Sequence, residues 1–324
     1  MREIALFEKG LPVTPIEPLN GEYGSNHCFV KRDDLLPFSF GGNKVRKAAE
    51  FYKEIKKNDV DVVMTYGSNS SNHCRITANM AAAMGIAGHI ISPEENREIL
   101  YNTQMVEQFG GTIENCPVSM VARTIENRKK AYIEEGRKPY FITGGGHGNP
   151  GTRAYVKAYQ EIIDYEKMND IRFDYIFHAS GTGTTQAGLV CGKLLYGGTG
   201  RIIGISIARE AGRGRQVVKD SIREYLGERF DRLYTEEELT FTDAYRLEGY
   251  GKYDNAIMDT IQKVMNQEGI PLDSTYVGKA FHGMCRYLEE HEIRDKNILF
   301  IHTGGTPLYF DYLSSLQTCG KGCL

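Results

Sequence analysis

Two stretches of the sequence repeat one pattern, in which a buried strand runs into a polar or glycine-rich turn, then a helix, then a second strand. The first stretch contains the apolar run Val60 to Gly67, an alanine-rich helix from His73 to Met84 and the strand AGHIIS. The second contains YIFHAS, a helix through Leu189 and the strand RIIGISIA. Apolar β-branched runs that alternate with helices are typical of parallel strands buried on both faces. The sequence therefore predicts an α/β protein with a doubly wound sheet.

The turns in both stretches are suited to binding anions. The first turn carries five hydroxyl or amide side chains from Ser68 to Asn72, and the second combines glycines with threonines from Gly181 to Thr185. Free N–H groups and the helix dipole attract anions at such junctions. The second turn is the strongest phosphate signal, although it is neither a Walker loop nor the full dinucleotide fingerprint. Helix capping and tight strand-to-helix turns remain the structural alternatives.

A lysine follows two glycines in the stretch Gly41 to Lys44. Apolar residues at helical spacing from Val45 onward predict a helix that begins at or near Lys44, with Lys47 on another face of it. A partly buried amine at this end of a helix has a lowered pKa and is a candidate nucleophile. The alternative is a solvated lysine in a basic first turn.

The composition limits the class of protein. The chain has 324 residues, 41% of them hydrophobic, and a net charge of -3. This length suggests two domains or lobes, and the absence of a basic field argues against nucleic acid as the main partner. No apolar run reaches the length of a membrane span, and Glu3 and Glu8 interrupt any signal-like segment. Seven scattered cysteines without a CxxC pair indicate reduced thiols, so we expect a cytoplasmic protein and no metal site.

The candidate amine, the phosphate turn and the separate small-anion turn suit one cofactor and its substrates. Pyridoxal 5'-phosphate forms a Schiff base with a lysine and anchors its phosphate through N–H groups. Its amino-acid substrates need a site for their carboxylate. A further glycine loop, Gly144 to Gly148, contains His147, whose role the sequence leaves open.

Five blocks of sequence carry a family resemblance, in order and over nearly the whole chain. They are KRDDLLPFSFGGNKVRK, SSNHCR, ASGTGTTQAGL, TYVGKAFHGM and FIHTGGTP. The chain resembles the D-cysteine desulfhydrase and 1-aminocyclopropane-1-carboxylate deaminase family. This implies the two-lobed tryptophan-synthase-β-like fold (fold type II) with parallel or mixed sheets covered by helices, and a homodimer. The lobes are expected to comprise residues 1–47 with 156–324 (large) and 48–155 (small).

The resemblance also implies roles for single residues. Lys44 matches the Schiff-base lysine that moves the Cα proton, and Thr303 matches the neutral partner of the pyridine nitrogen. Asn72 matches the partner of the cofactor's ring oxygen, and Tyr250 and Tyr276 match two active-site tyrosines. The substrate carboxylate is assigned to Ser71, Asn72 and His73. The phosphate is assigned to Gly181, Thr182, Gly183, Thr184 and Thr185.

Three departures from the family concern the substrate. Val277 stands where the cyclopropane deaminases have glutamate and the desulfhydrases usually have threonine. Ser68 to Ser70 and His147 also differ from the usual residues. The expected reaction is β-elimination from a small amino acid to pyruvate and ammonia. The alternatives are the cyclopropane deaminase, a β-replacement synthase that traps an aminoacrylate intermediate, and a non-catalytic phosphate- or nucleotide-binding module.

Overall fold

The protein is described by a computed structural model covering residues 1–94 and 99–320, with side chains up to residue 316. The strands are β1 (Ile16–Pro18), β2 (His27–Arg32), β3 (Val62–Tyr66), β4 (Ala87–Pro93), β5 (Thr112–Cys116), β6 (Pro139–Ile142), β7 (Tyr175–Ser180), β8 (Arg201–Ser206), β9 (Thr240–Thr242) and β10 (Asn297–His302). The helices are α1 (Ala5–Lys9), α2 (Asn43–Lys57), α3 (Asn72–Met84), α4 (Tyr101–Gln108), α5 (Val121–Glu134), α6 (Asn149–Asn169), α7 (Thr184–Tyr196), α8 (Ala211–Leu226), α9 (Phe230–Leu233), α10 (Asn255–Glu268), α11 (Val277–Glu290) and α12 (Thr306–Gly320).

The chain divides into two compact units. Unit 1 comprises Met1–Leu11 and Lys44–Gly151, and unit 2 comprises Pro12–Asn43 and Thr152–Leu324. The functional lobes expected from the sequence, 48–155 and the remainder, stay a prediction. Within the described ranges, no helix combines the length and the apolar composition of a membrane span.

Unit 2 is organised around a six-stranded sheet in the order β1-β2-β10-β7-β8-β9. Its strands are parallel except for β1, which pairs with β2 in the antiparallel direction. Neighbouring residues of one strand enter different hydrophobic clusters, as Ile202 and Ile203 do in β8. One cluster includes residues of α6, α7 and α8, and the other includes residues of α10, α11 and α12. The predicted doubly wound arrangement is therefore confirmed for this unit.

Unit 1 contains a four-stranded, fully parallel sheet in the order β5-β4-β3-β6. Val62 and Met64 of β3 enter a cluster that residues of α5 cover. Ile90 of β4 enters another cluster with Cys74 and Val106 from α3 and α4. The predicted first βαβ unit is β3, α3 and β4, so the polar turn from Ser68 to Ser71 lies where β3 ends and α3 begins.

Candidate active site

Lys44 lies in the first turn of α2, one residue from the helix start at Asn43, as the sequence predicted. It is half-buried, and burial lowers its pKa to about 8 despite a hydrogen bond with Lys47. Lys47 is 1% exposed, and its Nζ donates to the carbonyl of Gly145 at 3.2 Å. Burial and the nearby Lys44 amine hold the pKa of Lys47 well below its usual value. The interpretation of a solvated basic first turn is therefore wrong, and so is the placing of Lys47 on a separate face.

His73 is also buried beside these amines, and its hydrogen bonds define its tautomer. The Thr65 hydroxyl donates to the carbonyl of Ile142 at 2.7 Å, so it must accept from His73 Nε2 at 2.9 Å. Burial and the charges of Lys44 and Lys47 hold the pKa of His73 well below its usual value. The imidazole is therefore neutral, with Nδ1 as its acceptor, and it offers no positive charge to an anion.

The start of α3 nevertheless has free main-chain donors. The Ser71 hydroxyl caps the helix by accepting from the Cys74 N–H at 3.3 Å. The N–H groups of Asn72 and His73 have no acceptor among the residues the structure describes. Two adjacent free donors at a helix N-terminus suit a carboxylate.

The remaining polar residues of this turn are tied to α4. Asn102 Nδ2 donates to the Ser70 carbonyl at 2.9 Å, and Thr103 Oγ1 donates to the Asn69 carbonyl at 3.1 Å. His147 lies in a separate turn in which its N–H donates to the Thr143 carbonyl at 3.2 Å. These contacts use main-chain carbonyls, whereas the side chains of Ser68 and Ser70 contact each other through their hydroxyls at 3.1 Å.

The predicted phosphate turn in unit 2 leads directly into α7. Gly183 is the N-cap residue, with φ of 104°, and no side chain caps this helix. A positive φ of this size is readily adopted only by glycine. Thr184 and Thr185 are buried, and Arg209 donates to the Gly181 carbonyl on the far side of the turn. A helix N-terminus that no side chain caps offers backbone N–H groups of the type that an anion requires.

Asn43, the residue before Lys44, is held by two other predicted elements of unit 2. Its Nδ2 donates to Thr185 Oγ1 at 3.2 Å, and its N–H donates to the Thr303 carbonyl at 2.9 Å. Gly42 permits this approach, since a Cβ there would lie 2.7 Å from the Thr303 oxygen. Asn43 therefore joins the phosphate turn to the end of β10.

Thr303 follows β10 and is 7% exposed. Its hydroxyl has no partner among the described residues, whereas the preceding His302 is fully engaged. His302 Nε2 lies 2.8 Å from the Pro271 carbonyl, and Nδ1 accepts from the Gly304 N–H at 3.2 Å. Both ring nitrogens of His302 therefore have main-chain partners, and Asp34 Oδ1 lies farther away, 3.6 Å from Nδ1. The free group at this strand end is the Thr303 hydroxyl.

Tyr250 and Tyr276, which the resemblance assigned to the active site, lie in contact with each other. Their hydroxyls lie 2.5 Å apart and their rings meet edge to face at 5.7 Å. Asp273 accepts from the Tyr276 N–H at 2.7 Å, which fixes the start of α11. The Tyr250 loop is fixed by Lys279, a fully buried lysine. Its Nζ donates to the carbonyls of Ile207 at 3.4 Å, Arg246 at 3.1 Å and Gly249 at 2.7 Å.

Val277, the residue that differs from both branches of the family, is 0% exposed and lies in the hydrophobic core of unit 2. A glutamate in this environment would bury a charge among apolar side chains, which is costly without a partner. The present core is therefore built for an aliphatic residue at this position.

Among the buried cations that sequence reasoning missed are Lys47, Arg75 and Lys279. Each lies on a helix, where a charged residue is ordinarily assigned to the solvent face. The signal available for Lys47 was its spacing of three residues from Lys44, which places both amines on one face of α2. For Lys279 the partners lie 30 to 72 residues away in the sequence, so no local pattern indicates them.

The lowered pKa of Lys44 predicts its reactivity with pH in the cofactor-free protein. Because burial disfavours the ammonium, about half of the Lys44 side chains are neutral at pH 8, against under about 1% for an ordinary lysine. Labelling by trinitrobenzenesulfonate, followed by peptide mapping, should reach half its maximal rate near pH 8. Lys138 is the control, since its hydrogen bond to Asp59 raises its pKa. Parallel pH profiles for the two lysines would contradict the prediction.

Comparisons with known proteins show the family of the chain. A family profile described as "Pyridoxal-phosphate dependent enzyme" matches residues 4–304. A Pyrococcus horikoshii protein provisionally named as a 1-aminocyclopropane-1-carboxylate deaminase is 32% identical over 310 residues, covering 93% of this chain and 91% of that protein. The D-cysteine desulfhydrase of Serratia proteamaculans is 30% identical over 315 residues, covering 92% and 93%. A crystal structure of an ACC deaminase homologue is similar with a TM-score of 0.84 and 31% identity, covering 94% and 93%.

Proposed function

Because the chain belongs to the family of pyridoxal-phosphate-dependent enzymes, we propose that it eliminates a β-substituent from a small amino acid and releases pyruvate and ammonia. The chain is a lyase of tryptophan-synthase-β-like fold that uses pyridoxal 5'-phosphate. The desulfhydrase relatives support elimination of a thiol from D-cysteine. The observation that carries the proposal is the hydroxyl pair of Tyr250 and Tyr276, which offers a proton donor for a leaving group.

The residues present fit a phosphorylated aldehyde cofactor. Lys44 would hold its aldehyde carbon through an amine that burial makes easier to deprotonate. The uncapped start of α7, from Gly181 to Thr185, would hold the phosphate. The Thr303 hydroxyl, which lacks another partner among the described residues, would meet the pyridine nitrogen, and Asn72 would donate to the ring oxygen. When bound, the cofactor withdraws electrons from the substrate and stabilises negative charge at Cα.

Different side chains of the protein then carry out the two proton transfers. The amine of Lys44 takes the proton from the substrate Cα. The free N–H groups of Asn72 and His73, with the Ser71 hydroxyl, hold the substrate carboxylate. A hydroxyl of the Tyr250–Tyr276 pair gives its proton to the departing β-substituent, and the second hydroxyl stabilises the resulting phenolate by hydrogen bonding. A neutral hydroxyl at Thr303, rather than a carboxylate, favours elimination over transamination.

The cyclopropane deaminase is the second candidate, because relatives carry that name. The fully buried Val277 weighs against it, since that reaction is associated with a glutamate at this position. A β-replacement synthase would share the first half of the reaction. The non-catalytic binding module is set aside by membership of the enzyme family.

The test is to incubate the holoenzyme with D-cysteine, L-cysteine and 1-aminocyclopropane-1-carboxylate and to identify the products. Pyruvate and sulfide from a cysteine support the proposal. A four-carbon 2-oxo acid from the cyclopropane substrate would support the second candidate instead. Formation of a new amino acid only when a nucleophile is added, without pyruvate, would favour the synthase.

Tyr276→Phe should lower kcat about 10²-fold or more for D-cysteine, because the leaving thiolate loses its proton donor. The loss should be much smaller for β-chloro-D-alanine, since chloride leaves without a proton. Steady-state pyruvate release with both substrates measures the difference. Tyr253→Phe, at an exposed tyrosine that stacks edge to face on Tyr312, is the matched control. Equal losses for both substrates would assign Tyr276 a purely structural role.

We also propose that the enzyme is a cytoplasmic homodimer. The family resemblance supports the dimer, and the scattered cysteines support a reducing compartment. Light scattering of the purified holoenzyme would test the dimer, and a mass of one chain would contradict it.

A further inference from the structure

Arg75 is fully buried in α3 and heads the set of largest side chains without solvent access. It lies three residues after Asn72, so both side chains project from the same face of the helix. Burying a guanidinium is costly, and hydrogen bonds from its donors offset part of that cost. Its Nη1 donates to Asn72 Oδ1 at 2.7 Å and to Asn102 Oδ1 at 2.6 Å.

These contacts fix the orientation of both amides. An amide oxygen and nitrogen are nearly isosteric, but an arginine nitrogen can only donate. The atoms of Asn72 and Asn102 that face Arg75 must therefore be oxygens. Asn102 Nδ2 then donates to Asn72 Oδ1 at 3.1 Å and to the Ser70 carbonyl at 2.9 Å.

The side-chain oxygen and nitrogen of Asn72 therefore have different roles. Its Oδ1 accepts from Arg75 Nη1 and from Asn102 Nδ2, so both lone pairs of this oxygen are occupied. Its Nδ2 has no acceptor among the residues the structure describes, so two N–H groups remain for a ligand. The neighbouring positive charge also polarises the amide and strengthens those N–H groups as donors.

We propose that Arg75 is a positioning residue that locks the Asn72 amide so that only N–H donors face the ring oxygen of pyridoxal phosphate. The inference rests on the proposed function, because Asn72 is the partner of that oxygen there. Without the lock the amide can rotate and present its oxygen, which would repel a phenolate. Arg75 thus favours the cofactor with its ring oxygen deprotonated, although it does not touch the cofactor itself.

The competing explanation is structural, because Arg75 and Asn102 also join α3 to α4. The two explanations predict different effects on ligand affinity when the ring oxygen of the cofactor is removed. A structural defect weakens any ligand of this site equally. Loss of the amide lock weakens only ligands that carry the ring oxygen.

The experiment compares two ligands on cofactor-free protein by equilibrium dialysis, namely pyridoxal phosphate and its analogue without the ring hydroxyl, 3-deoxypyridoxal phosphate. Arg75→Met should raise the Kd of pyridoxal phosphate about 10- to 100-fold, as expected for a lost hydrogen bond to a charged group. The Kd of the deoxy analogue should stay within about threefold. Arg123→Met, at an exposed arginine of α5, should change neither value.

A double-mutant cycle adds a second readout. In an Asn72→Ala background, Arg75→Met should have no further selective effect, because its target amide is gone. If Arg75→Met does not fold, Arg75→Lys serves, since a flexible ammonium side chain holds the amide oxygen less rigidly than the planar guanidinium does. A smaller but still selective loss is then expected.

Equal losses for both ligands, or no loss for either, would overturn the inference and leave Arg75 as a tie between helices. A failure of the proposed function looks different, because the unmodified protein itself would then bind pyridoxal phosphate no better than the deoxy analogue.

Discussion

Lys44→Ala is expected to lower turnover at least about 10⁴-fold, because no other amine would then accept the Cα proton in the proposed mechanism. Folding should be unaffected, since the substitution removes a half-buried ammonium whose pKa burial has already lowered to about 8. Pyruvate release measures the loss, and thermal unfolding monitors the fold. Lys57→Ala, at an exposed position in the last turn of the same helix, is the control.

Borohydride trapping gives an independent readout of the same prediction. Reduction of the holoenzyme should place the pyridoxyl label on the peptide that contains Lys44, and Lys44→Ala should abolish it. Lys47 is the amine most similar to Lys44 in its environment, because it is buried and hydrogen-bonded with Lys44. A label on Lys47 in the unmodified enzyme, or full activity of Lys44→Ala, would contradict the assignment.

Gly188→Ala is expected to destabilise unit 2 by about 3 kcal/mol, a large overpacking effect. Gly188 lies on the face of α7 that packs on α6, and a Cβ there would lie 2.3 Å from the Thr152 carbonyl oxygen and 2.5 Å from Tyr155 Cβ. One neighbour is a backbone atom of α6 and the other is a Cβ atom of α6. Neither can move aside by a change of rotamer, so the two helices must separate. Denaturant unfolding should show a lower midpoint.

The matched control is Gly212→Ala in α8, where a Cβ would meet no atom within 4 Å. Removal of a helical glycine at an open position should be neutral or slightly stabilising, by up to about 1 kcal/mol. Equal stability of Gly188→Ala and the unmodified protein would mean that the contact between α6 and α7 is looser than the structure indicates.

The strands were predictable because their residues follow local rules. Tyr175 to Ser180 is an apolar run that ends at a glycine turn, and β7 covers the same residues. The start of α2 beside Lys44 followed from helical spacing, and the two turns at helix N-termini followed from their hydroxyl and glycine content. The family resemblance assigned Tyr250 and Tyr276 to the active site, but their direct contact was not predicted, since 26 residues separate them.

The buried charges could not be predicted from local patterns. Lys47 looks like a solvent-facing residue in the sequence, yet it reaches the Gly145 carbonyl from a loop 98 residues away. Arg75 Nη1 donates to Asn102, which a different helix supplies. Tertiary partners decide whether a cation can be buried, and an isolated segment contains no information about them. The neutral state of His73 likewise depends on Thr65 and Ile142 in two other strands.

The contacts of Lys279 predict how the Tyr250 loop responds to dissolved salts. Three main-chain carbonyls surround its ammonium at 2.7 to 3.4 Å, much as oxygen ligands surround a potassium ion. Here the ion is covalently tethered to α11 and cannot exchange with the solution. The order of the Tyr250 loop should therefore be independent of which alkali-metal salt is dissolved around the enzyme.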